Sequence, residues 1–154
     1  MRTLILLAVF AAPAFAQGSI FPDEATKKAA RLLEPGSVSE ENRAFLRTKM
    51  KDHSKEMKEL SVAVATVKLS DAQRLAQAMA NEPRLDRSSG AATKLPARFF
   101  ELQELLRKTS QELADAAKAN DLAATSTKYH QVVELCVSCH GSFKAQVQAA
   151  PTKK

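Results

Sequence analysis

Apolar residues fall at helical spacing through most of this chain. Arg43, Leu46, Met50, His53, Met57, Leu60, Val64 and Val67 follow one another at alternating steps of three and four. That spacing predicts a long helix with an inward-facing heptad seam, packed in a bundle. Ser37, with Glu40 three residues on, has capping-box spacing and is expected to open this helix. A short leading helix is expected over residues 23–33, closed by Pro35 and Gly36. Ser70 with Gln73 repeats the capping spacing ahead of Leu75, Ala76, Met79 and Ala80, a second and shorter amphipathic helix that Asn81, Glu82 and Pro83 end.

The stretch to Leu95 contains Ser88, Ser89 and Gly90 and reads as a surface loop. Pro96 suits the first turn of a third helix, where the missing proline N–H costs nothing. The apolar face of that helix is expected to be Phe99, Leu102, Leu105, Leu106, Leu113 and Ala117. Asn120 and Asp121 make a turn and cap a fourth helix over about residues 122–147, with Val132, Val133 and Leu135 inside. No segment alternates with period two. The pattern predicts an all-α, antiparallel four-helix bundle.

Residues 1–16 stand apart from that bundle. Met1 and Arg2 are followed by an apolar run over residues 3–13, then by Ala14, Phe15 and Ala16, with small residues three and one positions before a cut. This is the three-part plan of a cleaved signal peptide, and the run is too short for a permanent membrane anchor. The expectation is a bundle domain over residues 17–154, exported to the periplasm.

Composition narrows the function classes. Among 154 residues there are 4 Gly, no Trp, one Tyr and a formal net charge of +6. A basic chain with so few aromatics offers no stacking groove for nucleic acid, and its charge suits an acidic protein partner. Two cysteines are too few for a disulfide framework.

Those cysteines carry the chemistry. Cys136, Val137, Ser138, Cys139 and His140 form a Cys-x-x-Cys-His run late in the fourth helix, the attachment pattern of a c-type haem. Two thiols three residues apart on one helical turn can form thioethers to the two vinyl groups of one haem, while the next imidazole ligates the iron. A thioredoxin-like pair would follow a strand, a structural zinc site would need a second Cys or His pair nearby, and a local disulfide is the remaining competitor. Export and helical context favour one covalent haem c on Cys136 and Cys139, with His140 as proximal ligand.

Residues 43–57, from Arg43 to Met57, resemble the first helix of the cytochrome c′ family. Residues 119–144, from Ala119 through the attachment motif to Lys144, resemble its last turn and haem helix. The resemblance implies a four-helix-bundle monohaem cytochrome, often a homodimer. Some members carry electrons with methionine as sixth ligand; others leave the iron five-coordinate and bind NO or CO. It also places the usual distal position near Arg47, where relatives carry an apolar residue. Arg43 and Lys144 become candidates for haem propionate or packing contacts, and Phe143 for haem packing. On the inward seam, His53 or Met50 is the candidate distal iron ligand, with Met57 behind them and an open site as the alternative. His130 is expected to be structural. Electron transfer to an acidic redox partner is the leading function, gas binding the second, and redox catalysis the third. No paired acid and base at suggestive spacing supports an enzyme.

Overall fold

The computed structural model describes Glu24, residues 38–87 and residues 95–148, with side chains up to residue 143. The leader expected over residues 1–16 lies outside these, as does the leading helix apart from Glu24, which is helical. Four helices follow: α1 (Glu40–Ala65), α2 (Leu69–Asn81), α3 (Ala97–Lys118) and α4 (Leu122–Gln148). There is no strand among the described residues. This is the expected all-α bundle.

Helix α1 begins two residues later than its Ser37 signal implies. Ser39 is the N-cap, its hydroxyl accepting from the Asn42 N–H at 3.2 Å, and Ser37 is outside the described residues. Glu40 therefore sits in the first turn, where its charge suits the helix dipole, and binds Arg43 and Arg47. Along the seam Arg43, Leu46 and Leu60 are buried and His53, Met57 and Val64 half-buried, but Met50, expected to face inward, is exposed. Val67 lies beyond the helix end and is exposed.

The two tight turns share one backbone device. After α1, the Val67 N–H donates to the Val64 carbonyl and the Lys68 N–H to the Ala63 carbonyl. After α3, the Asn120 N–H donates to Ala117 and the Asp121 N–H to Ala116. Both are Schellman motifs, and both put the intervening residue at positive φ: 56° for Val67 and 57° for Asn120. Asp121 then caps α4 by accepting from the Ala124 N–H at 2.9 Å. At the first turn Lys68 holds the corresponding place and makes no side-chain cap. Because the Schellman turn delivers the chain directly into α2 at Leu69, Ser70 lies inside the first turn and is not the cap. Pro96 likewise occupies the N-cap of α3, one residue ahead of its expected place.

Two apolar clusters form the core. Leu60, Ala72, Leu75, Ala76, Met79, Leu113, Ala117 and Val132 fill the end near the tight turns. Val38, Leu46, Leu85, Leu95, Phe99, Leu102 and Phe143 fill the other, with Phe99 and Phe143 edge to face at 5.5 Å. Leu105, expected on the inner face of α3, is exposed instead; its neighbour Leu106 packs inward. Reciprocal amide bonds between Gln77 and Gln111 join α2 to α3, and Lys128 reaches Glu112 at 2.6 Å to join α4 to α3. Helices α1 and α4 are the most loosely paired neighbours. They are tied where Ser61 and the Tyr129 hydroxyl meet at 2.7 Å, and they part toward the attachment motif.

Candidate haem site

Where α1 and α4 part, the α1 seam stops packing. Leu46 belongs to one core cluster and Leu60 to the other, whereas Met50 and His53 between them belong to neither. They face a cavity of about 640 Å³, within the roughly 300–1,000 Å³ usual for ligand sites. Its walls are mostly apolar, with Phe99, Leu102, Leu106, Val133, Leu135 and Phe143 among them. An inward seam ending in a cavity explains why these positions look like core in the sequence and yet pack on no core.

All three residues of the attachment motif line this cavity. Both cysteines are free thiols, half-buried, and divided between the two clusters: Cys136 packs on the first and Cys139 on the second. Burial raises both thiols, that of Cys139 to about 11, helped by the neighbouring Cys136. Both are therefore held as S–H groups, the form that adds across a vinyl group to give a thioether.

His140, one residue on, faces α1. Its Nε2 lies 3.0 Å from Met50 Sδ across the cavity. His53 also lines the cavity, but its Nε2 contacts Glu82 Oε2, with Lys49 Nζ 3.8 Å from the same oxygen. Of the two distal candidates, the structure brings Met50 to the motif histidine and gives His53 a carboxylate partner.

The polar edge differs from expectation. Arg43 is buried, pairs with Glu40 at 3.0 Å and is not among the lining residues. Arg47 does line the cavity, though exposed and held by Glu40 at 2.9 Å. Those two guanidinium groups hold the Glu40 carboxyl below its ordinary range, Arg47 contributing first. The Lys144 side chain lies outside the described residues. His130 stands apart at the surface, 3.4 Å from Glu134.

Arg84, which no sequence pattern marked, is the cation the site supplies instead. It follows Pro83 in the α2–α3 connection and lines the cavity. One Nη donates to the Met79 carbonyl at 3.3 Å, while Nε is buried with no hydrogen-bond partner. Burial lowers its pKa from the ordinary arginine value. A buried guanidinium N–H without an acceptor is a strong demand for an anion. An apolar slot, two thiols, an imidazole, a facing thioether and an orphaned arginine donor fit a porphyrin with its carboxylates.

The cytochrome c′ family model matches residues 87–144, from the α2–α3 connection through the attachment motif. Over that stretch the chain is similar to the cytochrome c′ family. That similarity supports a c-type cytochrome with haem c as its cofactor. The match leaves out α1, which carries Met50 and His53. No curated protein and no solved structure matches the chain. No helix among the described residues is long and apolar enough to cross a membrane.

Proposed function

We propose that the chain is a periplasmic monohaem electron carrier, with Cys136 and Cys139 as thioether anchors, His140 as proximal ligand and Met50 as distal ligand. The observation that carries this reading is the 3.0 Å approach of Met50 Sδ to His140 Nε2 across the cavity. Bound there, haem c would supply a one-electron iron couple.

The residues do the rest. Held 3.0 Å apart, the Met50 and His140 donors would have to separate to admit an iron between them. Unbranched and soft, the Met50 side chain can make that adjustment by rotation. The walls present apolar side chains to the ring, and Arg84 would offer its orphaned N–H to a propionate. Arg47, Lys49 and Lys51 along the rim give the cavity mouth a basic surface suited to an acidic redox partner. Export through the leader read over residues 1–16 completes the proposal.

The competing reading, NO or CO capture at an open distal face, requires that Met50 leave the iron free. Spectra of the haem-loaded protein decide between them. Low-spin bands in both oxidation states, unmoved by CO, are expected. High-spin iron that takes up CO overturns the carrier reading in favour of gas binding. Loss of covalent haem on changing Cys136 and Cys139 to Ser checks the anchors by mass spectrometry.

A further inference from the structure

Beside the cavity, His53, Glu56 and Glu82 bring three metal-ligating side chains from two elements to one point. Their candidate donor atoms all lie within 4.8 Å of one another, and all three residues are half-buried. His53 and Glu56 stand one helical turn apart on α1, so both side chains leave the same face. Glu82, at the C-cap of α2, closes the group from across the bundle.

The charge balance of this group is incomplete. The Glu56 and Glu82 carboxyls are close enough to repel when both are ionised and to share a hydrogen bond when Glu56 holds its proton. Lys49 Nζ lies 3.8 Å from Glu82, and the Arg84 charge also acts on Glu82. One carboxylate oxygen of Glu56, Oε2, is fully enclosed yet accepts no hydrogen bond. An enclosed carboxylate oxygen without a donor loses its solvation uncompensated, and a cation bound at this oxygen would supply what is missing.

We infer that His53, Glu56 and Glu82 form a binding site for a first-row divalent cation, separate from the iron. One imidazole and two carboxylates are borderline-to-hard donors of the kind Zn²⁺ accepts, and three protein ligands leave a fourth position for water. Bonds of about 2.0–2.2 Å reach across roughly 4.4 Å, so a shift of a few tenths of an ångström closes the triad on an ion. Lys49 is the built-in competitor, holding Glu82 when the cation is absent. The site does not depend on the haem reading.

Titration of Zn²⁺ into the full mature, haem-loaded protein tests it, since thioether formation removes both thiols as rival ligands. If no haem is attached, the haem reading fails and the same titration is run on the protein with Cys136 and Cys139 changed to Ser. One saturable ion per chain is expected. His53→Ala and Glu56→Gln should each weaken it by roughly tenfold or more, and Lys49→Gln should tighten it. Circular dichroism establishes that each variant is folded, and the near-isosteric Glu56→Gln keeps the comparison valid if His53→Ala is not. Absence of saturable binding, or binding indifferent to both ligand substitutions, overturns the inference.

Discussion

Met50 Sδ and His140 Nε2 meet at 3.0 Å although 90 residues separate them in the chain. They come from the adjoining pair of helices with the least packing between them. The gap between α1 and α4 is thus flanked by a thioether on one helix and an imidazole on the other at the same height. His53, one turn further along α1, is directed to Glu82.

Met50→Ala should accordingly convert low-spin haem to high-spin haem that binds CO, while His53→Ala should leave the Soret band in place. The reverse pattern would transfer the distal role to His53. Because a thioether ligand favours the reduced iron, the Met50→Ala protein should also have a lower reduction potential, measurable by redox titration.

Arg84→Leu removes the orphaned donor and keeps the apolar bulk beside the cavity. The expected outcome is a protein that still attaches haem through both cysteines but has a shifted potential, because one propionate loses its buried cation. Arg84→Lys should restore part of the shift as a point charge without the planar fork. An unchanged potential in both variants would remove Arg84 from the site.

How much of this was visible in the sequence depends on what each feature rests on. Helix number and order follow from period and punctuation, because apolar spacing and the Asn120–Asp121 turn are local. The attachment motif is likewise local: three residues within two turns of one helix. Met50 and His53 could not be separated that way, since both keep the heptad step and only Glu82, brought in by the packing of α2 on α1, distinguishes them. Arg84 was illegible for the same reason. Its meaning is a buried Nε without an acceptor, which exists only after the chain has folded around it. Capping spacing misled at Ser37 and Ser70 because the neighbouring geometry, Ser39 at one end and the Schellman turn at the other, had already set the helix starts.

Glu56 makes stability depend on pH. Burial, then the charges of Glu82 and Asp52, raise its carboxyl from 4.5 to about 7. A raised acid binds its proton more tightly folded than unfolded, so its contribution is full below pH 4.5 and is lost as pH rises through 7. In metal-free buffer, Glu56→Gln should remove that slope between pH 4.5 and 7. At pH 8 the variant should be the more stable by about 1 kcal/mol, the shift being discounted for partial solvent screening. Urea unfolding at several pH values measures it; parallel curves for the two proteins would refute the assignment.

The two Schellman turns offer an internal comparison. Asn120 and Asp121 suit their positions, since asparagine tolerates positive φ and aspartate caps the next helix. Val67 and Lys68 occupy the same places after α1, where a β-branched residue at φ 56° is strained and lysine cannot accept an N–H. Val67 is exposed, so its side chain contributes little packing that a replacement would forfeit. Left-handed backbone costs an ordinary L-residue about 1–2 kcal/mol, and a missing N-cap about 1 kcal/mol. Copying the second turn into the first, as Val67→Asn with Lys68→Asp, should therefore raise unfolding stability by about 1–2 kcal/mol without altering the haem spectrum. The gain should appear in the unfolding midpoint at constant m-value. A midpoint that stays put or falls would mean that Val67 or Lys68 holds the turn through an interaction other than backbone geometry.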